Sequence, residues 1–242
     1  MWQILDTGRK PAQQNMDLDG ALLADLAHAT GPILHLYEWE GDSVSHGHFI
    51  QPDRFFNITA SVAQGLSIAR RPTGGGIVFH ICDLAFSILV PATHPSCSTN
   101  TLANYAFVNN IVVSAVSQFL GRNASLDLLQ QEPTPLDAAC RHFCMAKPTK
   151  FDVMMEERKV GGAAQRRTRD GFLHQGTIAI AMVPESYLER VLLPSPAVIA
   201  AMQVHSAMLL GPDWQPAHLQ QARAELRHLL IENLPQGHTH DT

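Results

Sequence analysis

No run of apolar residues in this sequence reaches the roughly 18–20 positions that a membrane-spanning helix needs. The opening residues, Met1-Trp2-Gln3-Ile4-Leu5-Asp6, lack the basic stretch and apolar core of a signal peptide. Cysteine is scarce, with four in 242 residues, which excludes a disulfide scaffold. Charge is sparse too, at 16% of residues. The formal net charge of −5 excludes a global basic field that would draw nucleic acid. Neither an internal repeat nor a heptad run is present, so solenoids and coiled coils are set aside. What remains is 45% hydrophobic and long enough to bury a sizeable core in one domain. The expected class is soluble, globular and cytoplasmic.

The patterning alternates helix and strand. Asn15 is placed to cap a helix with Asp17 and Asp19 in its first turn and Leu18, Leu22, Leu23 and Leu26 on one apolar face. Gly31-Pro32 ends it, and Ile33 to Trp39 reads as a strand bounded by Gly41-Asp42. Short strands are expected between residues 65 and 92, including Ile77-Val78-Phe79 and the apolar run Leu84 to Val90. The spacing of Leu102, Tyr105, Val108, Val112, Val116 and Phe119 predicts a helix over 101–120. A polar stretch from Gly121 to Asp137 reads as a mobile loop. Residues 151–183 read as strands, with turns at Glu156-Glu157 and Arg169-Asp170-Gly171. Helices are then expected over Ala197 to Leu210 and Gln215 to Ile231, and a solvated tail holding His238 and His240. Together these predict an α+β domain with a helical C-terminal appendix.

The most unusual stretch is Arg70-Arg71-Pro72-Thr73-Gly74-Gly75-Gly76-Ile77-Val78-Phe79-His80. Three consecutive glycines beside a strand are entropically costly, and their physical use is close backbone approach to a ligand. The neighbouring arginines offer planar donors for a carboxylate or phosphate. The spacing is neither a P-loop nor a dinucleotide-binding fingerprint, and a tight turn with exposed arginines stays open as the plainer alternative.

This stretch resembles the signature of the lipoate ligase and octanoyltransferase family, which is related to biotin protein ligases. A second block, Arg158-Lys159-Val160-Gly161-Gly162-Ala163-Ala164-Gln165-Arg166 followed by Gly171-Phe172-Leu173-His174-Gln175-Gly176-Thr177-Ile178, is similar to further elements of that family, as is Asn15-Met16-Asp17-Leu18-Asp19. The sequence departs from the family pattern at Glu157, Ile81 and His174-Gln175. The last departure leaves open which side chain lines the pocket. The resemblance implies a class II synthetase/biotin-ligase-like fold, with a mixed, largely antiparallel sheet flanked by helices and an elongated acyl tunnel along the glycine strand. It also implies transfer of an octanoyl or lipoyl group to one lysine of a lipoyl domain of 2-oxoacid dehydrogenases or of the glycine-cleavage H protein. The catalytic unit is expected over 1–185, with residues 186–242 as a helical extension packed on it.

Two chemistries share such a fold. A ligase makes an acyl-adenylate from ATP, with Mg, and needs no protein nucleophile, whereas an octanoyltransferase drawing on acyl carrier protein passes through a thioester and needs a thiolate but no cofactor. Cys144, in Phe143-Cys144-Met145-Ala146-Lys147-Pro148-Thr149-Lys150-Phe151-Asp152, resembles the nucleophile of the cysteine-dependent branch, and Lys159 stands where the family has its motif lysine. A nearby ammonium favours a thiolate, and the thioester then conserves acyl activation without ATP. Cys144 and Lys159 are therefore the expected catalytic pair. A buried structural cysteine and a solvated strand lysine are the plainer alternatives. Backbone N–H groups of Gly74–Gly76 or Gly176–Thr177 could hold the oxyanion. The resemblance assigns Arg71, Thr73, Gly74, Gly75, Gly76, His80, Gly162, Gln165, His174, Gly176 and Thr177 to substrate binding, with His80 shaping the pocket and not serving as the base. Cys140-x-His142-x-Cys144 lacks a fourth ligand and a second pair, so no metal is expected. Cys82 and Cys97 read as structural, and His35, His46, His48 and His94 carry no pattern. A non-catalytic module that binds lipoyl domains is the reading from another class, and the intact lysine and glycine blocks weigh against it.

Overall fold

The computed structural model describes residues 1–121, 125–134, 138, 140–193 and 195–236. Ten strands and six helices follow in the order β1 (Gln3–Lys10), α1 (Ala12–Ala24), β2 (Ile33–Trp39), β3 (Ser43–His46), α2 (Ile58–Ala63), β4 (Ser67–Arg70), β5 (Ile77–Phe79) and β6 (Asp83–Pro91). After these come α3 (Thr101–Leu120), β7 (Leu126–Leu128), β8 (Val153–Met155), β9 (Arg158–Thr168), β10 (Gly171–Ala179), α4 (Glu185–Val191), α5 (Ser195–His205) and α6 (Pro216–Glu232). A seven-stranded sheet runs β1-β2-β6-β10-β9-β8-β7, and a three-stranded sheet runs β4-β3-β5. In the large sheet β1 and β2 are parallel and every other neighbouring pair is antiparallel. This is the mixed, largely antiparallel sheet flanked by helices that the resemblance implied.

The central strands explain themselves. β6 and β10 are buried along their whole length, as strands covered on both faces must be. On β10 successive side chains take opposite faces: His174 packs beside Tyr105 of α3, and Gln175 meets Met16 of α1. Helix α3 covers one face with Val108, Val112 and Val116. Helix α1 and the small sheet cover the other. Leu188, Val198, Leu226 and Leu230 of the C-terminal helices join the same core cluster as the sheet.

Four expectations need correction. Helix α1 starts at Ala12 after Pro11, so Asn15 does not cap it. Asn15 is instead fully buried, donating its amide to the Glu38 carbonyl at 2.8 Å. The buried face of α1 is Ala12, Asn15, Met16, Asp19 and Leu23, with Leu18 and Leu22 only half-buried, because this face abuts a polar site. Within the expected loop 121–137, Leu126–Leu128 forms edge strand β7 on β8, while 122–124 and 135–137 lie outside the described residues. Helix α5 ends at His205 because Ala207 turns to donate to the Lys159 carbonyl at 2.8 Å. His238 and His240 lie outside the described residues. None of the described helices is long and apolar enough to cross a membrane.

Candidate active site

Strand β9 carries a one-residue irregularity against β8: Val153 pairs with Gly161, but Met154 pairs with Lys159. A bulge re-aims a side chain, and here it turns Lys159 to the face shared by Gly162, Gln175 and Thr177. Gly162 is glycine for this reason. A Cβ there would lie 2.5 Å from Lys159 Nζ and 2.8 Å from Asp152 Oδ1.

Lys159 is fully buried and its ammonium has three close partners. Nζ lies 2.7 Å from Asp152 Oδ2, donates to the Cys144 carbonyl at 2.9 Å, and donates to Cys144 Sγ at 3.1 Å. Burial alone would push the ammonium down, yet the Asp152 charge and the Cys144 sulfur outweigh it and hold Lys159 above the ordinary lysine value. Burial raises Asp152 in turn, and Lys159 and Thr149 oppose that rise. Thr149 donates to Asp152 Oδ2 from its backbone N–H at 2.6 Å and its hydroxyl at 3.0 Å. With three donors on one carboxylate, the pair stands ionised at neutral pH.

The Cys144 loop is clamped on two sides. Its backbone N–H donates to the Ile77 carbonyl at 2.9 Å, and Phe143, 1% exposed, anchors it in the core. On the other side Ser206, just past α5, donates to the Met145 carbonyl at 2.7 Å. Gly76 permits this docking, since a Cβ there would meet the His142 carbonyl oxygen at 2.5 Å. Cys144 is half-buried and faces a cavity of about 410 Å³ that is also lined by Tyr37, Ser45, Arg71, His80, Gln175 and Thr177. An apolar cavity of about 460 Å³, lined by Phe79, Phe143, Met145, Ala181, Met182 and Met202, adjoins it across Val78 and Thr177.

The glycine triplet wraps a buried guanidinium. Arg71 donates to the carbonyls of Gly74 and Gly76 at 3.0 and 2.8 Å and to Ser45 Oγ at 2.9 Å. It is 6% exposed, so the alternative of exposed arginines holds for Arg70 and not for Arg71. Gly75 sits at φ +85°, where a side chain is strained. Thr73 donates to Gln175 Oε1 at 2.7 Å, and Gln175 Nε2 donates to Asp19 Oδ2 at 2.6 Å. Asp19 also takes hydrogen bonds from Ser87 and His35. His80 lies 2.6 Å from Ser45 Oγ and 2.7 Å from Asp83 Oδ2, stacked on Trp39 at 4.2 Å.

Of the residues singled out in the sequence, Cys144, Lys159, Arg71, Thr73, the glycine triplet, His80, Gly162, Gly176 and Thr177 converge here. His174 and Gln165 do not. They bond to each other at 2.7 Å on the α3 face of the sheet, and burial pushes His174 down to about 3, a neutral core imidazole. Gln175 takes the pocket position, which closes the question His174-Gln175 left open. Gly176 is glycine because a Cβ would strike the Phe86 ring. Asp152, Asp19, Tyr37 and Ser45 went unassigned in the sequence, although Asp152 closes the quoted cysteine element. Cys140 is buried with its thiol directed to the Ala197 carbonyl. Among the described residues no group of three His, Cys, Asp or Glu could hold a metal ion.

The fold is that of solved lipoate-protein ligases. Lipoate-protein ligase A bound with ATP superposes with a TM-score of 0.69 at 21% identity, covering 96% of this chain and 83% of that one. The bi-partite lipoate protein ligase of Thermoplasma acidophilum, studied with its E2 lipoyl domain, gives 0.67 at 23%, covering 96% and 82%. Sequence relatives are octanoyltransferases LipM: that of Kyrpidia tusciae is 30% identical over 81% of this chain and 72% of its own length. The Bacillus subtilis protein is 28% identical over 84% and 73%. The model of the lipoyl protein ligase A/B catalytic domain matches residues 11–208, and the chain belongs to that family.

Proposed function

We propose that the protein is an octanoyltransferase that moves an octanoyl group from acyl carrier protein to a specific lysine of a lipoyl domain or of the glycine-cleavage H protein, through a thioester on Cys144. The observation that carries this reading is Lys159 Nζ at 3.1 Å from Cys144 Sγ, with Cys144 lining a cavity that an apolar one adjoins. The relatives named as octanoyltransferases point the same way.

In the first step Cys144 sulfur, as the thiolate, adds to the carbonyl carbon of the donor thioester. A new C–S bond forms, the donor C–S bond breaks, and the carrier leaves as its own thiolate to be protonated by solvent. The Lys159 ammonium donates to the attacking sulfur and, fixed by Asp152, keeps its proton throughout. The tetrahedral oxyanion requires donors already in place. A trans peptide directs the Gly75 N–H opposite to the carbonyl that Gly74 gives Arg71, which leaves it available for that purpose. In the second step the acceptor amine attacks, and Cys144 leaves as a thiolate beside the same ammonium.

The adjoining apolar cavity is the place for the acyl chain, where four methionines, Met145, Met182, Met202 and Met208, give an adaptable wall. Such chemistry uses no cofactor. The test is transfer from octanoyl-carrier protein to a lipoyl domain without ATP, run beside a reaction with free lipoate, ATP and Mg. The reading predicts that Cys144→Ser abolishes the first. Full acylation by the serine variant in the second would make the protein a ligase.

A further inference from the structure

The second half of the reaction needs a base that the Cys144, Lys159 and Asp152 cluster does not supply. An acceptor amine that adds to a thioester must lose a proton, and Lys159 cannot take it, being held as an ammonium by Asp152 and the Cys144 sulfur. Arg71, the other cation at the cavity, is a donor only.

Three side chains beside the same cavity form a connected line. Ser45 Oγ lies 2.6 Å from His80 Nε2, and His80 Nδ1 lies 2.7 Å from Asp83 Oδ2. All three are buried, and Ser45 and His80 line the same cavity as Cys144. Donor bookkeeping orients the line. Thr177 gives its hydroxyl proton to Asp83, so the carboxylate acts as an acceptor, and His80 must carry its hydrogen on Nδ1 to satisfy it. Nε2 is then an acceptor, and the Ser45 hydroxyl donates to it. Ser45 Oγ accepts one hydrogen bond from Arg71 Nη1 at 2.9 Å, which leaves it one lone pair. The Trp39 ring, stacked at 4.2 Å, fixes the imidazole plane.

We infer that Ser45, His80 and Asp83 form the proton-accepting relay for aminolysis of the acyl-enzyme. The inference rests on the Cys144 thioester reading. The acceptor lysine enters as the free amine, its ammonium proton given up to solvent; as its nitrogen bonds to the carbonyl carbon, one of the two remaining protons passes to Ser45 Oγ while the hydroxyl proton passes to His80 Nε2. The C–S bond breaks, Cys144 leaves as a thiolate beside Lys159, and the imidazolium, facing Asp83, later returns its proton to solvent. The two clusters thereby divide the labour: Cys144 with Lys159 handles the sulfur, and His80 with Asp83 handles the amine. A hydroxyl, an imidazole and a carboxylate in line also serve the serine-hydrolase triad, where the hydroxyl yields its proton to the imidazole.

The test separates the half-reactions by intact mass. Wild type, His80→Gln and Asp83→Asn are loaded from octanoyl-carrier protein, then discharged either to a lipoyl domain or to hydroxylamine, which is already unprotonated at neutral pH and whose weakly basic nitrogen, once added, gives its proton to water without an enzymic base. The relay predicts that discharge of His80→Gln to the lipoyl domain slows about 100-fold, far more than loading slows. Discharge to hydroxylamine stays within about threefold of wild type. Asp83→Asn, which keeps the shape and loses the charge, falls between. Equal slowing of loading and discharge, or equal loss with both nucleophiles, would make His80 a merely structural residue and overturn the inference, as would unchanged discharge. Failure of the wild-type protein to carry any octanoyl adduct overturns the thioester reading itself, and the relay with it.

Discussion

At the scale of single residues, the buried Lys159–Asp152 pair bears on stability and, in the proposed mechanism, on chemistry. Both side chains are within 3% of full burial, so removing either leaves its partner's charge uncompensated. Breaking a buried pair costs about 3–5 kcal/mol, whereas replacing both partners by apolar groups of similar volume is often neutral. Asp152→Leu and Lys159→Met should each lose stability on that scale in urea titration. The double variant should recover most of it while remaining unable to acylate. His174 offers a second residue-scale measurement. Its folded value is about 3, so the folded chain takes up that proton far more reluctantly than the unfolded one, whose imidazole titrates near 6.5. The stability this gives is complete above pH 6.5 and is lost as the pH falls, at up to about 1.4 kcal/mol per unit. His174→Gln should flatten the dependence of unfolding free energy between pH 6.5 and 4.5, and an unchanged slope would show that His174 is not the group responsible.

Among elements, the glycine triplet shows how one segment serves several ends. Gly74 meets no atom within 4 Å of an added Cβ, Gly75 has the left-handed φ, and Gly76 abuts the Cys144 loop. Gly74→Ala should therefore be nearly silent. Gly76→Ala should push the loop off Ile77 and slow both Cys144 alkylation by iodoacetamide and octanoyl transfer by at least tenfold. Equal effects at the two positions would contradict this division. The elements legible in sequence were those with strong periodicity: the strand Ile33–Trp39 and the helix Thr101–Leu120 have the predicted bounds. β1 was not legible because it alternates half-buried with exposed polar residues, nor was β3, four buried residues of which three are polar. The site was legible where residues sit together in motifs, as Cys144 and the Lys159 block do. Asp19 and Ser45 were not, because what gives them meaning arrives from 156 and 35 positions away. The assignment of His174 missed because alternation along β10, not motif membership, decides which face a residue takes.

Over the whole molecule, the large sheet is a partition. Its α3 face carries an apolar core with His174 embedded in it, and its α1 face carries the cavity that Cys144 lines. The C-terminal helices do more than extend the chain: Ala207 pairs with the Lys159 carbonyl, and Ser206 holds Met145, so the segment past α5 braces both Lys159 and the loop that carries Cys144. Arg223 of α6 caps the Ile81 and Asp83 carbonyls, tying that helix to the strand behind His80. The central claim is that this scaffold exists to carry an acyl group on Cys144, and the most direct measurement is peptide mapping after incubation with octanoyl-carrier protein and no ATP. One octanoyl group should be found on Cys144, released by hydroxylamine, absent from Cys144→Ser and strongly reduced in Lys159→Ala. Cys82, whose thiol burial pushes up to about 12 with Asp83 adding to the rise, should carry none. Transfer to a lipoyl domain that proceeds at the wild-type rate in Cys144→Ser, with no adduct on Cys144 in the wild type, would contradict the account.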